Sequence, residues 1–286
     1  MADERMTANQ RAWLSWGRRN GHTGGGRACA RSVVSPRHPA AAWLADQLHR
    51  VLAGPGGLTV AYQPIYDLET ESVVGVEALA RLSEFPDVAS DVWLTQAAAL
   101  GIGVGIEMAV VRRVLIDLPR VPRPISVSVN LSTSSLVDRR LAPLMRAAGR
   151  DLDRLVLEVA DDGRTDWLKA VNAAAPFRRA GVRLAVDDAD LRHVVGIQPD
   201  VIKLDAAVVR SVERDTVRRT LVSAVVLLAG DMGAVVSAEA IESADELEVL
   251  RSLGVHRGQG FHLGRPASLP WTVGALVGEQ RTAVLV

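Results

Sequence analysis

Lysine is nearly absent: across 286 residues only Lys169 and Lys203 carry an ammonium group, and every other fixed side-chain cation is arginine. Cysteine is scarcer still. The single Cys29 rules out an internal disulfide framework and fits a reducing compartment. Neither sign of charge is in excess, since Lys+Arg and Asp+Glu are both 33. That balance argues against a general nucleic-acid binder, whose affinity grows from surplus basic charge, so no DNA partner is expected. No apolar run reaches membrane-spanning length; the nearest, Ala97 to Val111, is interrupted by Glu107. The charged start lacks the hydrophobic core and small-residue cleavage site of a secretion signal. A cytoplasmic globular protein is the expectation. With 48% hydrophobic and 23% charged residues it can bury one large core or two small ones.

Residues 1–40 differ from the rest. "RRNGHTGGGRACARSVVSPRHP" mixes Gly, Arg and Pro with no hydrophobic period, which reads as a disordered lead. A linker or helix over 41–56 follows. From there strand-like runs alternate with helical ones. "LTVAYQPIYDL", "SVVGVEALARL", "ISVSVNLS", "LVLEVA", "VRLAVDD", "DVIKLD", "GAVVSAE" and "HRGQGFHL" are the strand candidates. "SSLVDRRLAPLMRAAG", "DWLKAVNAAAPFRRAG", "TVRRTLVSAVVLLAGDMG" and "DELEVLRSLG" are helical, several closing on Gly. This alternation predicts a single (β/α)8-type barrel. A doubly wound open sheet is the alternative, but no Gly-rich phosphate fingerprint follows any strand.

A barrel carries its chemistry at the C-terminal ends of its strands. Those ends read Glu77, Asn130, Glu158, Asp187 with Asp188, Lys203, Glu239 and Gln259. Any one of them is most simply a helix N-cap. Several converging on one rim would repel one another unless a cation neutralised them. Glu77, Asn130, Glu158, Asp187, Asp188 and Glu239 are all hard oxygen donors, with no Cys and no His pair at ligand spacing, and suit Mg2+ or Mn2+ rather than zinc. Lys203 is either a compact charge beside those carboxylates or the partner of Asp205 in a plain salt bridge.

These residues carry a resemblance. "AYQPIYDLETESVVGVEALARL" is similar to the opening of the EAL-domain family of cyclic di-GMP phosphodiesterases, named for the tripeptide found here at Glu77-Ala78-Leu79. The match continues in order through "SVSVNLS", "LVLEVAD", "LAVDD", "PDVIKLD", "VVSAEAIE" and "GQGFHLGRP", over roughly residues 57–280. The resemblance implies a modified TIM barrel whose first strand runs antiparallel to the rest. It implies hydrolysis of cyclic di-GMP to pGpG with two metal ions. Glu77, Asn130, Glu158 and Asp187 would hold the first, and Asp187, Asp188 and Glu239 the second. Lys203 would orient or help deprotonate the attacking water, Gln259 would support the water and metal shell, and Gln63 and Arg81 would contact the ligand.

The sequence departs from the family around the paired aspartates. Where the family continues Phe-Gly-Thr-Gly-Tyr-Ser-Ser, this chain has Ala189-Asp190-Leu191-Arg192, and the connection to Lys203 is several residues short. The glutamate usually found three residues after Glu158, which braces that loop, is Asp161, preceded by Ala160 in place of threonine. The glycine of the usual Ala-Glu-Gly motif is Ala240. Metal ligands without their supporting contacts lose activity. The expectations are therefore a phosphodiesterase of reduced activity and a monomer or weak homodimer. The alternative is a catalytically weak or inactive receptor for cyclic di-GMP or a protein-interaction module.

Overall fold

In a computed structural model the described residues are 39–54, 57–83, 90–186 and 191–269. The Gly/Arg-rich lead up to residue 38 and the end of the 57–280 segment beyond 269 lie outside them, as do Asp187 and Asp188. Helix α1 (Pro39–Ala53) occupies most of the stretch expected as linker or helix.

Eight strands close into one barrel in sequence order. They are β1 (Leu58–Asp67), β2 (Val73–Leu82), β3 (Ser126–Ser132), β4 (Leu155–Ala160), β5 (Arg183–Val186), β6 (Val201–Leu204), β7 (Val235–Ala238) and β8 (Arg257–Gly258). β1 runs antiparallel to both neighbours, β2 and β8, and the other pairings are parallel. The helices between strands are α2 (Ser90–Ala99), α3 (Gly103–Asp117), α4 (Thr133–Leu136), α5 (Leu141–Ala147), α6 (Trp167–Arg179), α7 (Leu191–Ile197), α8 (Ala206–Val209), α9 (Thr216–Met232) and α10 (Ala244–Ser252).

The strand sequences explain the burial. The parallel strands are covered by helices outside and by side chains inside, so they read as near-continuous apolar runs. β4 is buried from Leu155 to Val159 and β6 along its whole length. A glutamate or lysine in such a strand is therefore held away from water by construction. The alternation of β2 puts Glu77, Leu79 and Arg81 on one face. Register sets Gln63 opposite Glu77, Asn130 opposite Glu158, and Lys203 opposite Ser237.

Two segments are shorter than their sequences suggest. "SSLVDRRLAPLMRAAG" is not one helix but α4 and α5, because the Asp138 carboxylate accepts the Arg140 backbone N–H at 2.9 Å and turns the chain between them. "HRGQGFHL" is strand only at Arg257–Gly258. The chain then passes so close to Ile241 that a Cβ on Gly260 would lie 2.1 Å from the Ile241 carbonyl oxygen. Only glycine fits there, and this close passage fixes the backbone beside Gln259, whose carbonyl accepts from Ile241 N–H at 3.1 Å.

Candidate active site at the barrel mouth

The strand ends bring together seven of the residues singled out from the sequence: Gln63, Glu77, Asn130, Glu158, Lys203, Glu239 and Gln259. At the centre is Lys203, 3% exposed. Its Nζ lies 2.5 Å from Glu158 Oε2 and 3.6 Å from Glu77 Oε2, and it also pairs with Glu239 Oε1. The alternative partner, Asp205, instead caps α8 by accepting from Val208 N–H. Lys203 therefore belongs to the carboxylate cluster.

Glu77 collects the most donors. Asn130 Nδ2 donates to its Oε1 at 2.8 Å, and Gln259 Nε2 donates to its Oε2. Burial alone would raise its pKa. The Lys203 charge and the hydrogen bonds from Gln259 and Asn130 outweigh burial and hold the carboxyl below its usual range. Gln63, buried opposite Glu77, donates from Nε2 to the Gly264 carbonyl at 2.9 Å. Arg81 is half-buried on the Glu77 face of β2, and its Nη1 donates to the Ala80 carbonyl at 2.9 Å. Asp187 and Asp188 fall outside the described residues, one and two positions beyond the end of β5 in sequence.

Carboxylate oxygens of Glu77, Glu158 and Glu239 all lie within 4.8 Å of one another. Among the described residues three carboxylates meet one ammonium, in a site where each glutamate is at least nine-tenths buried. The side-chain carbonyl of Gln259, also buried, has no hydrogen-bond partner among the described residues. Crowded carboxylates and an orphaned oxygen are costly in a low-dielectric interior. A hard divalent cation answers both, so the donor set fits one.

Two features were not visible in the sequence. Beneath Lys203 and Glu158 the barrel encloses a cavity of about 20 Å3, room for a water molecule, lined also by Ser126, Ser128, Ser237 and Arg257. The second is a contact at the edge of the mouth: His193 of α7 meets both Asp161 and Trp167. Asp161, expected to leave the loop unbraced, is engaged. Residues separated by tens of positions and following no periodicity carry no sequence signal of such a meeting.

The family model for the EAL domain matches residues 45–266. The chain belongs to the EAL domain family. It is 27% identical over 234 residues to an uncharacterized protein of Sinorhizobium fredii, covering 76% of this chain and 26% of that one. It is 25% identical over 198 residues to the probable cyclic di-GMP phosphodiesterase PdeB of Escherichia coli, covering 64% of this chain and 36% of that one. The chain thus spans about a quarter to a third of the length of these two relatives. Among solved structures, Klebsiella pneumoniae BlrP1 in a calcium and cyclic di-GMP complex superposes with a TM-score of 0.62 at 27% identity. That match covers 74% of this chain and 56% of BlrP1. The antiparallel first strand and the Glu-Ala-Leu of β2, which lies mid-strand rather than at the strand end expected from sequence, are thus features of an EAL barrel. No helix among the described residues is long and apolar enough to cross a membrane.

Proposed function

We propose that this EAL domain hydrolyses cyclic di-GMP to linear pGpG with the help of two divalent cations, Mg2+ or Mn2+. The observation that carries the reading is the cluster of three buried carboxylates around the one ammonium of Lys203. The name of the E. coli relative and the ligands of the K. pneumoniae structure support the substrate and the need for a divalent ion.

In this reading Glu77, Asn130, Glu158 and Asp187 hold one ion, and Asp187, Asp188 and Glu239 the other. The ions, when bound, supply Lewis-acid charge for the scissile phosphate and lower the pKa of water. The protein's own groups do the rest. Glu77, kept ionised by Lys203, Gln259 and Asn130, is ready to bind metal at neutral pH. Lys203, braced between Glu158 and Glu239, is held where its N–H groups can orient an incoming water or take up negative charge on a phosphate oxygen. Gln259 donates through nitrogen and keeps its oxygen for the ion or its water. Gln63 and Arg81 flank the same mouth, and the planar donor fork of Arg81 suits a phosphate oxygen.

A second reading, a receptor that binds cyclic di-GMP without turning it over, is favoured by the short connection between the aspartates and Lys203, a single seven-residue helix. The loss of family loop residues there also underlies the proposal of a monomer or weak homodimer. One experiment separates the readings: incubation of the purified chain with cyclic di-GMP and Mn2+, followed by chromatography for pGpG. Product that vanishes with EDTA and in Glu77→Ala is the expected result. Micromolar binding with no pGpG would transfer the chain to the receptor reading. Product that survives both treatments would overturn the site assignment.

A further inference from the structure

Three side chains that the proposed chemistry leaves unused grip one another at the edge of the mouth. Asp161 stands just beyond the end of β4, three residues after Glu158. Its Oδ1 is fixed by the Gly163 backbone N–H at 2.8 Å, which leaves Oδ2 directed to His193 Nε2 at 3.3 Å. The His193 ring stacks on Trp167, with centroids 3.9 Å apart and planes inclined by 28°. Trp167 opens α6, and His193 is the third residue of α7, so three elements meet in one contact.

That contact matters because α7 does not define itself. Seven residues including a glycine do not make a helix that holds itself in water. Val194 and Ile197 pin one side to the core. Its other attachments are to α6: Arg178 Nη1 donates to the Ile197 carbonyl at 2.8 Å and the Gln198 carbonyl at 3.0 Å, and Trp167 lies against the helix near its start. His193 and Gly196, three apart, share a face, and a Cβ on Gly196 would come within 3.0 Å of the indole Nε1. The missing side chain at Gly196 is what lets the indole lie against the helix. The chain length between the paired aspartates and the lysine strand is largely this helix, so its attitude bears on both.

We propose that Asp161, His193 and Trp167 form a positioning clamp that ties α7 to the end of β4 and the start of α6 and so orders the helix that leads into the lysine strand. In this chain the clamp replaces the direct glutamate brace expected from the family resemblance. A single carboxylate-to-loop contact becomes a relay through imidazole, with the indole as its back wall. Among the described residues the contacts that define the clamp lie outside the carboxylate cluster, and the proposed chemistry gives the three side chains no contact with substrate. The catalytic consequence rests on the phosphodiesterase reading; the structural one does not.

The test uses the full chain and the variants His193→Ala, Asp161→Asn, the double variant, and Trp167→Phe, which keeps an aromatic wall. Amide hydrogen exchange of the 191–197 segment reads the clamp without any substrate, and calorimetric titration with Mn2+ reads the metal site. His193→Ala is expected to speed exchange in α7 at least tenfold while β3, β4 and β6 stay protected. It should weaken Mn2+ binding about tenfold, within the range seen when groups behind metal ligands are removed. Where pGpG forms, kcat should fall by a similar factor with KM changed less than about threefold, and Trp167→Phe should retain most of it. The double variant should be no worse than His193→Ala alone, because both break one contact. Unchanged exchange in α7, or additive losses in the double variant, would overturn the clamp. If no pGpG forms with any protein, the functional reading fails, while exchange and Mn2+ binding still decide the clamp.

Discussion

Two buried charged networks, one on the outer wall of the barrel and one at its mouth, are built on opposite terms. On the outer wall, Asp117 at the end of α3 is 2% exposed and accepts from Tyr62 Oη at 3.0 Å, Arg113 Nε at 2.9 Å and Arg120 Nη1 at 3.4 Å. Burial, and then the Asp117 charge, push the Tyr62 phenol far above its usual range, so it stays a donor. Nearby, the Arg154 guanidinium donates to the carbonyls of Leu118 at 3.2 Å, Val121 at 2.6 Å and Ile125 at 3.1 Å. Every buried charge there has its complement. At the mouth, three carboxylates share one lysine and the Gln259 oxygen has no partner among the described residues. A network that only holds a fold together is satisfied within the protein. One in which carboxylates outnumber cations among the described residues has the chemistry to receive a cation.

The largest effect is expected from breaking the satisfied network. Arg154→Met keeps the bulk but takes the guanidinium donors from the Val121 and Ile125 carbonyls, each worth about 1–3 kcal/mol when buried without a donor, while Leu118 keeps the Val121 N–H at 3.2 Å. With partial relaxation we expect a loss of about 3–5 kcal/mol, measured by urea denaturation. The folded fraction should bind cyclic di-GMP as the parent does. A loss below about 1 kcal/mol would mean that this cluster is no firmer than a surface ion pair, and the contrast between the networks would collapse.

A smaller, pH-dependent effect is expected at the mouth. Glu77 has its carboxyl held low, so its contribution to stability is present above the ordinary carboxylate range and is lost as pH falls through its depressed folded value. Lys203→Met removes the cation that outweighs burial and should reverse the sign. The glutamates would then prefer to be protonated in the folded state, and stability would rise as pH falls. Relative to the parent, the variant should lose about 2 kcal/mol near neutral pH in EDTA, and much less near the ordinary carboxylate pKa of about 4. Mn2+ should recover part of the neutral-pH loss. Thermal melts across that range, with and without Mn2+, make the check. A deficit independent of pH and of metal would show that Lys203 matters there only as packing.

How much of this could be read in the chain depends on whether the feature is periodic. Strand ends recur with the barrel repeat, so Glu77, Asn130, Glu158, Lys203, Glu239 and Gln259 stood out in order before any coordinates. The antiparallel first strand came from the family likeness, since hydropathy does not encode strand direction. The imbalance of charge was invisible. It depends on Lys203 choosing Glu158 and Glu239 over Asp205, which side-chain direction in β6 decides. Asp161 looked like a lost brace because sequence gives its spacing from Glu158 but not its approach to a histidine thirty-two positions on. The split of α4 from α5 came from one aspartate side chain turning the backbone, a local competition that the surrounding apolar pattern masks.

The finest test of the contrast is backbone strain beside the site. Ala240 follows Glu239 directly and sits at φ +53°, where an L side chain crowds the carbonyl. Its neighbours leave it little choice: Glu239 N–H donates to Leu204 C=O at 2.9 Å on one side, and Ile241 N–H to Gln259 C=O at 3.1 Å on the other. The turn that delivers Glu239 to Lys203 is thus held in the left-handed region from both ends. On the outer wall no non-glycine residue has such a φ at 117–125 or 151–154. Ala240→Gly should relieve roughly 1–2 kcal/mol of strain. It should also return roughly 0.5–1 kcal/mol to the unfolded chain as backbone freedom. The net gain is about 0.5 kcal/mol, or about 1–2 °C in Tm for a domain of this size. Ala238→Gly, in the buried extended strand β7 one turn earlier, is the control and should lose about 1 kcal/mol, because there glycine brings only entropy and a missing methyl. Calorimetry on the two variants reads opposite signs if the strain is real. Ala240→Gly falling by as much as Ala238→Gly would show that the turn beside Glu239 carries none.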